Sequence, residues 1–183
     1  MITIQQTDLT RVIVIGTSCS GKTTFARDLA ARLDAPHTEL DSLHWLPGWK
    51  ERDPESFRSL VGEWAARERW VIDGNYTRVR DILWPRATTL IWLDYPFPLV
   101  FWRSVRRTFT RAATGEEICN GNRESLRIAF SRDSIMLWVI QTHKKNKRRY
   151  DGLFKSRDYS NLGKVRLKTP KAAAAFLDRA GSD

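Results

Sequence analysis

A glycine-rich segment near the N-terminus has residue types and spacing that suit phosphate binding. Residues 16–23 read GTSCSGKT, a glycine, four residues and then Gly-Lys-Thr. Glycines let such a loop curl so that successive backbone N–H groups point inward. Lys22 adds a charge for the terminal phosphates of ATP, and the Thr23 hydroxyl suits Mg²⁺. The predicted contacts to nucleotide and metal in this segment are Gly16, Thr17, Ser18, Cys19, Ser20, Gly21, Lys22, Thr23 and Thr24.

Three aspartates, Asp41, Asp73 and Asp94, each follow a predicted strand, of which the one before Asp41 is short and weak. In an open parallel sheet, ligands lie beyond the carboxyl ends of the strands, so these acids can face the site that Lys22 marks. Asp73 suits a contact to magnesium or its water, with a turn or cap residue as the alternative. Asp41 either deprotonates a substrate hydroxyl or only binds the acceptor. For Asp94, which precedes Tyr95-Pro96, the simpler explanation is that it caps the turn and has no role in the site.

The residues after Asp41 have the composition of an acceptor pocket. Trp45 and Trp49 flank a Pro-Gly pair, where their rings can wall a substrate site. A lone loop histidine usually neither titrates functionally nor binds, although His44 is well placed for both. We expect the acceptor region to span about 41–69. The predicted substrate contacts are Asp41, His44, Trp45, Trp49, Asn75 and Arg78.

Arginines flank a segment, Ala112 to Arg123, that has no periodicity and suits a mobile lid. Phosphoryl transfer spreads negative charge over the γ-oxygens, and arginines carried by a closing lid stabilise that charge. Each arginine alone is equally consistent with a solvated helix residue, but together they predict at least two phosphate contacts. We place the lid at about 108–135. The arginines concerned are Arg103, Arg107, Arg111, Arg123, Arg127 and Arg132, of which Arg107, Arg123 and Arg132 are expected to be catalytic.

The elements that must position these residues alternate between strands and helices. Alternation of this kind predicts a mostly parallel sheet of five strands with helices on both faces, in one α/β domain spanning 1–183. The predicted strands are Arg11–Ile15, His37–Leu40, Trp70–Ile72, Thr89–Leu93 and Lys164–Lys168. The predicted helices are Gly21–Leu33, Pro54–Arg69, Pro98–Thr110, Ser125–Lys145 and Pro170–Arg179, and Leu43–Asp53 is expected to be a loop.

Composition excludes several classes of protein. The 183 residues are 42% hydrophobic and 28% charged, which is typical of a globular domain. No apolar run approaches the roughly 20 residues of a membrane helix, and residues 1–11 lack the pattern of a secretory signal. The two cysteines, Cys19 and Cys119, have neither disulfide nor metal-ligand spacing. We therefore expect a reduced, cytoplasmic setting without a membrane partner; the oligomeric state is not readable.

The formal net charge of +10 is concentrated in one part of the chain. Residues 101–157 hold 14 basic and 5 acidic side chains, and the run Lys144 to Arg149 is the densest cluster. Such clusters often contact nucleic acid or another polyanion. A solvated helix end explains the same residues, and we favour it. A nucleic-acid partner remains the alternative.

The order of these segments resembles the adenylate kinase-related group of P-loop kinases. More narrowly, it is similar to the small bacterial proteins labelled DNA topology modulation proteins or adenylate kinase-like ATPases. The narrower resemblance covers Arg11 to about Tyr150. The residues that carry it read GTSCSGKTT, ELDSLHWLPGW, WVIDGNY, TLIWLDYPFPLVFWRSVRR and NRESLRIAFSRDS.

The resemblance implies roles for several residues. Asp73-Gly74 matches the acid–glycine pair after the third strand of adenylate kinases. Arg103 and Arg107 match the two arginines on the helix leading into the lid, which would make Arg103 the adenine-stacking residue and Arg107 a phosphate contact. The turn Thr169-Pro170 would line the adenine site. An acid at Asp41 is more similar to shikimate kinase and the antibiotic-modifying kinases, which phosphorylate hydroxyls.

These observations lead to one main hypothesis and two alternatives. The main hypothesis is an ATP- and Mg²⁺-dependent kinase that phosphorylates a small molecule, with a hydroxyl as acceptor. The alternative enzyme is a nucleoside monophosphate kinase. The alternative outside enzymes is a nucleotide-binding regulator that associates with nucleic acid through the run Lys144 to Arg149.

Overall fold

A five-stranded sheet forms the centre of the molecule. The structure is a computed structural model that describes residues 7–114, 117–123, 135–156, 158–160 and 162–180. In chain order its elements are β1 (Arg11–Gly16), α1 (Lys22–Arg32), β2 (His37–Glu39), α2 (Leu40–His44), β3 (Trp45–Leu46), β4 (Lys50–Glu51), α3 (Pro54–Ala65), β5 (Trp70–Asp73), a 3-10 turn (Thr77–Val79), α4 (Arg80–Leu83), β6 (Thr89–Leu93), α5 (Phe97–Thr114), β7 (Glu117–Ile118), β8 (Asn122–Arg123), α6 (Ile135–Lys155), β9 (Gly163–Leu167) and α7 (Pro170–Ala180).

The central sheet is parallel throughout, with strand order β2-β5-β1-β6-β9. Side chains of β1 alternate between two hydrophobic clusters, Val12 and Val14 on one face and Ile13 and Ile15 on the other. All four are buried, because helices cover both faces of the sheet. The predicted α/β class with a five-stranded parallel sheet is therefore confirmed.

Strand register brings acidic residues together at one edge of this sheet. Asp73 at the end of β5 pairs with Val14 of β1 on one side and with Glu39 of β2 on the other. Because the strands are parallel, their carboxyl ends all meet at this edge. The loop after β1 leads into α1, whose N-terminus faces the same edge. The fold thus positions the glycine-rich loop beside the two carboxylates.

Helix α6 ends later than the sequence predicts. We expected a helix over Ser125–Lys145, whereas α6 continues to Lys155, and residues 124–134 lie outside the described residues. The extension follows from packing, because Tyr150 and Phe154 contact Trp92 with ring centroids 5.6 and 5.3 Å apart. The basic run therefore belongs to the middle of the helix rather than to its end.

Two predicted loops contain short antiparallel pairs. The segment Leu43–Asp53 holds the β3–β4 hairpin, and Ala112–Arg123 holds the end of α5 followed by the β7–β8 hairpin. Strands of two residues are too short to show an alternating pattern, so the sequence gives no signal for them. Among the helices of the described residues, none has the length and hydrophobicity that crossing a bilayer requires.

A charge network joins β6 to α6 and β9. Asp94 is buried, and its carboxylate accepts from Arg166 at 2.9 and 2.6 Å, while Lys147 lies 3.7 Å away. Arg166 also donates to Asp151 at 2.7 Å. The side chain of Asp94 therefore ties the last strand and the basic helix to the sheet instead of capping only its own turn.

Removing the Asp94 carboxylate should destabilise the fold. We expect Asp94→Ala to lower the free energy of unfolding by about 3 kcal/mol, because it leaves the Arg166 charge partly buried without this partner. Urea denaturation followed by circular dichroism measures the change. Asp81→Ala is the matched control, since it breaks an exposed Arg58–Asp81 pair and should change stability little. Equal losses in the two variants would contradict the structural role.

Candidate active site

The glycine-rich loop, residues 16–23, has the backbone geometry that a phosphate cradle requires. Cys19 and Gly21 have φ angles of 65° and 88°, both in the left-handed region. A Cβ on Gly16 would lie 2.6 Å from Ser20 Oγ and 3.1 Å from the Leu93 carbonyl oxygen, so only glycine fits there. Ser20 N–H donates to the Thr17 carbonyl at 3.0 Å and closes the curl. The loop therefore turns sharply between β1 and α1, as the motif predicts.

Two side chains from elsewhere hold this loop in place. Asn75 accepts from Gly16 N–H at 3.2 Å and donates to the Gly16 carbonyl at 2.6 Å. Arg103 of α5 donates through Nη1 to the Ser20 carbonyl at 2.8 Å, and its guanidinium lies 5.4 Å from the Tyr95 ring centroid. Asn75 therefore holds the loop at Gly16, and Arg103 holds it at Ser20.

Thr23 lies against two carboxylates at the sheet edge. Its hydroxyl donates to Asp73 Oδ1 at 3.0 Å and has Glu39 Oε2 at 3.4 Å. His37 Nε2 is 3.0 Å from Asp73 Oδ2, which orients that carboxylate. Burial, followed by the negative charges of Asp73 and Asp41, raises the pKa of Glu39.

This group of oxygen atoms fits a magnesium ion. Mg²⁺ prefers oxygen ligands and is usually bound through one or two carboxylates together with substrate phosphates. A hydroxyl and two carboxylates adjoin Lys22 here, and a nearby cation would offset both the burial and the carboxylate repulsion that raise the pKa of Glu39. The chemistry of Thr23, Glu39 and Asp73 therefore suits the metal predicted from the sequence.

Asp41 is held by a half-buried tyrosine. The Tyr76 hydroxyl donates to Asp41 Oδ1 at 2.8 Å, and burial together with the Asp41 charge raises the pKa of this phenol well above its usual value. Tyr76 packs against His44 and Phe57, with ring centroids 4.9 and 5.4 Å away. The carboxylate of Asp41 consequently has one oxygen fixed by a rigid donor.

His44 is buried, and it does not line the cavity that the glycine-rich loop shares with Asp41 and the two loop tryptophans. It is 5% exposed and packs against the rings of Trp45 and Phe57 at 4.8 and 5.1 Å. Its Nε2 is 3.8 Å from Glu51 Oε2. Burial lowers the pKa of this imidazole, with a smaller opposing effect of the Glu51 carboxylate. The structure therefore gives His44 a packing position rather than a contact surface.

The lowered pKa of His44 makes stability depend on pH. The unfolded chain binds a proton at a higher pH than the folded chain does, so stability is full above about pH 6.5 and falls with further acidification. The melting temperature of the unmodified protein should fall between about pH 7.5 and 5.5, a window around the ordinary pKa of histidine. We expect His44→Phe to make this fall smaller. Thermal denaturation across this range tests it, and an unchanged slope in the variant would contradict the assignment.

A hairpin formed by β7 and β8, residues 117–123, covers the acceptor loop, residues 42–49. Asn120 donates to the carbonyls of Ser42 and Trp45 at 2.9 and 2.5 Å. Asn122 accepts from Trp49 N–H at 2.8 Å and donates to the Leu46 carbonyl at 3.0 Å. Side-chain amides thus take over backbone hydrogen bonds of the acceptor loop. These four hydrogen bonds join the hairpin to the acceptor loop.

One cavity of about 700 Å³ is lined by residues of the glycine-rich loop, the acceptor loop, α5 and the hairpin. It brings together the phosphate-binding residues, the acid of the second strand, both loop tryptophans and arginines of α5. Its lining is Ser18, Cys19, Gly21, Lys22, Thr23, Thr24, Arg27, Glu39, Asp41, Ser42, Trp45, Trp49, Arg103, Arg107, Arg111, Glu117, Cys119 and Ile135. The lining therefore joins residues that the sequence assigns separately to nucleotide and to acceptor.

Several predicted site residues lie away from the cavity or outside the described residues. Arg78 is exposed and lies 3.6 Å from Glu51, and Thr169 caps α7 by accepting from Ala172 N–H at 3.1 Å. Neither lines the cavity. Arg132 and Arg127 lie outside the described residues, as does the side chain of Arg123, whose backbone belongs to β8.

Five site residues escape the sequence analysis. Glu39 and His37 occupy a three-residue strand, His-Thr-Glu, which has no apolar pattern to indicate the role of its polar side chains. The sequence does indicate that His37 and Glu39 share one face of this strand, because side chains alternate between the two faces along it. Tyr76, Asn120 and Asn122 act through contacts more than 30 residues away along the chain, and no spacing rule reveals such contacts.

Comparison with known proteins identifies the fold. No protein-family model matches the chain, and no curated protein sequence matches it. A gluconokinase from Sinorhizobium meliloti 1021 superposes with a TM-score of 0.52 at 20% identity, covering 96% of this chain and 95% of that one. Shikimate kinase from Acinetobacter baumannii in complex with shikimate gives 0.57 at 16% identity, covering 93% and 90%.

A third solved structure agrees with these two. A sugar kinase from Janibacter sp. HTCC2649 superposes with a TM-score of 0.51 at 18% identity, covering 94% of this chain and 92% of that one. All three cover nearly the whole of both chains, so the likeness extends beyond the phosphate-binding loop. The chain has the α/β fold of the P-loop kinases.

Proposed function

We propose that this protein is an ATP- and Mg²⁺-dependent kinase that phosphorylates a hydroxyl group of a small molecule. The observation that carries the proposal is the shared cavity, which is lined by Lys22 and Thr23 together with Asp41 and the two loop tryptophans. A nucleotide site alone would not need a carboxylate held by a tyrosine beside an aromatic wall. The whole chain would act as one kinase domain, with an acceptor region at about 41–69 and a lid at about 108–135.

The nucleotide would lie along the glycine-rich loop. Inward N–H groups and the N-terminus of α1 favour the phosphates, and Lys22 supplies a charge at their far end. Arg103 already contacts the loop at Ser20, so we propose that it adjoins the base or the α-phosphate. Arg107 and Arg111 line the cavity further along α5 and would neutralise the transferred group.

Thr23, Glu39 and Asp73 would hold the magnesium ion. Bound there, the ion would supply positive charge that offsets the negative charge of the nucleotide phosphates. His37 keeps Asp73 oriented through its 3.0 Å contact. Glu39 stays close to Thr23 although burial disfavours its charge, which is a cost that a bound cation offsets.

Asp41 would accept the proton of the acceptor. The hydroxyl oxygen forms a bond to the γ-phosphorus, the bond from that phosphorus to ADP breaks, and the hydroxyl proton passes to the carboxylate. Tyr76 fixes one carboxylate oxygen, which leaves the other to face the acceptor. The hairpin formed by β7 and β8 would exclude water from the cavity, because Asn120 and Asn122 anchor it over the acceptor loop.

The solved structures support a small-molecule acceptor. The three compared here are named a gluconokinase, a sugar kinase and a shikimate kinase. Each of the compounds in these names offers an alcohol as the phosphate acceptor. The narrower resemblance to the bacterial adenylate kinase-like ATPases is consistent with this proposal. A reduced, cytoplasmic setting, which we also propose, agrees with two cysteines that form no disulfide.

A coupled assay of ADP release tests the proposed function. The protein is incubated with Mg·ATP and a panel of hydroxylated metabolites, nucleoside monophosphates and oligonucleotides. We expect release to rise with at least one hydroxyl compound and to vanish when EDTA removes the metal. Failure of calorimetry to detect Mg·ATP binding to folded protein would overturn the proposal. If only AMP or CMP stimulates ADP release, the protein is instead a nucleoside monophosphate kinase.

A further inference from the structure

Both tryptophans of the cavity belong to a hairpin that is separate from the central sheet. Trp45 and Trp49 line the cavity and lie in the β3–β4 hairpin, residues 45–51. Within the described residues, β3 pairs with β4 alone, and neither strand joins the five-stranded sheet. A two-stranded hairpin by itself is marginally stable in water at best. The two indoles therefore need contacts from outside their hairpin to keep a fixed position.

The β7–β8 hairpin supplies such contacts from a tight turn. Asn120 and Gly121 have φ angles of 60° and 79°, both in the left-handed region. Across these two residues, Asn122 N–H donates to the Cys119 carbonyl at 3.5 Å. Positive φ at both central residues is the pattern of the type I′ turn, for which Asn-Gly is strongly preferred. The Asn-Gly pair therefore suits this turn and places Asn120 at its tip.

Side-chain amides of this second hairpin pair with backbone groups of the acceptor loop. Asn122 is 3% exposed, and its Oδ1 accepts from Trp49 N–H at 2.8 Å. Its Nδ2 donates to the Leu46 carbonyl at 3.0 Å and to the Cys119 carbonyl at 2.7 Å. The oxygen and both N–H donors of this buried amide are thus paired, as burial of a polar group requires. Asn120 adds two further bonds to carbonyls of the loop.

Neither asparagine lines the cavity, so each can affect the reaction only through the loop that it holds. On the basis of the proposed function, we infer that Asn120 and Asn122 are positioning residues for the acceptor. They fix the backbone that carries Trp45 and Trp49, and these rings line the cavity together with Asp41. Because each hairpin is marginal alone, the bonds between them order both together. Loss of an asparagine should therefore weaken acceptor binding and spare the nucleotide site, which is built on β1 and α1.

Hydrogen exchange tests the joint ordering of the two hairpins without any acceptor. Asn120→Gly removes the side chain and keeps a residue that adopts positive φ readily, so the turn should persist. Asn120 contacts carbonyl oxygens of the loop and not Trp49 N–H, yet joint ordering predicts that its loss speeds exchange at the Trp49 amide several-fold. Amide exchange followed by NMR on the full chain measures the rate. Asn146→Ala, in the middle of α6, is the matched control and should leave it unchanged.

Steady-state kinetics test the consequence for the acceptor. The acceptor used is the hydroxyl compound of the metabolite panel that gives the fastest ADP release. We expect Asn122→Ala to lower kcat/KM for this compound about tenfold, as for the loss of hydrogen bonds that fix its pocket. The KM for ATP should stay close to the wild-type value, because the glycine-rich loop is unchanged. Asn120→Gly should give a loss in the same direction, and thermal denaturation checks that each variant is folded.

The outcomes separate this inference from the proposed function. Unchanged kcat/KM for the acceptor in folded Asn122→Ala, or in Asn120→Gly where the first variant does not fold, overturns the positioning role and leaves a kinase. Equal losses for acceptor and ATP also overturn it, since they would indicate general damage to the cavity. An unchanged Trp49 exchange rate in Asn120→Gly overturns the joint ordering. Absence of Mg·ATP binding to folded wild-type protein, or of turnover with every hydroxyl compound, defeats the proposed function instead.

Discussion

Lys22→Ala is expected to reduce acceptor-dependent ADP release by about 10²–10³-fold, the loss typical when one donor to developing charge is removed. The lysine is the only side chain of residues 16–23 that carries a positive charge. Its ammonium therefore supplies charge that the surrounding N–H groups of the loop cannot replace. Steady-state assays at saturating ATP measure the loss in kcat, and calorimetry measures any accompanying loss of affinity.

A matched lysine separates this effect from a general change in charge. Lys155 lies exposed at the end of α6, so Lys155→Ala removes the same charge away from the cavity and should keep turnover. Urea denaturation of both variants checks that the fold survives. Full turnover in folded Lys22→Ala would show that the loop does not act on the transferred phosphate.

The central fold could be predicted because each of its elements follows a local pattern. Residues 12–15 form an unbroken β-branched run, which suits a strand buried on both faces, and the glycine-rich loop follows directly. Phe25 and Leu29 mark the buried side of α1, and Asp53 caps α3 through the amides of Glu55 and Ser56. Such signals lie within a few residues of the element that they predict.

The lid side of the molecule depends on contacts that are distant in sequence. Asn120 and Asn122 bind backbone carbonyls more than 70 residues away, and Trp49 receives its fixed orientation from the same hairpin. No motif assigns a role to Asn120, and Asn122 only begins the segment NRESLRIAFSRDS that contributes to the family resemblance, so the sequence indicates only a loop. The extension of α6 likewise depends on Tyr150 reaching Trp92 in the sheet.

The candidate site shows the same division between local and distant signals. The sequence identifies Lys22, Thr23 and Asp41 from their positions relative to predicted strands, and the structure brings all three to one cavity. It does not reveal Glu39 or Tyr76, because a polar residue in a short strand and a tyrosine after a turn are both common. What these two residues do follows from their partners, Thr23 and Asp41.

Asp41→Asn is expected to lower kcat by about 10²–10⁴-fold, the range for a positioned general base. The amide keeps the size of the side chain and still accepts a hydrogen bond from Tyr76, so the pocket should keep its shape. Loss of proton acceptance then affects kcat more than the KM for ATP. Asp34→Asn, at an exposed turn after α1, is the matched control and should keep full activity.

A double-mutant cycle extends this prediction to the residue that holds the base. Tyr76→Phe removes only the hydroxyl that fixes Asp41 Oδ1, and we expect kcat to fall about tenfold, as for one hydrogen bond to a charged group. In the Asp41→Asn background the same change should have little further effect, because a tyrosine that acts through the base has nothing left to position. Equal losses in both backgrounds would mean that Tyr76 supports the pocket independently of Asp41. Full turnover in Asp41→Asn would remove the carboxylate from the reaction and leave it a binding role alone.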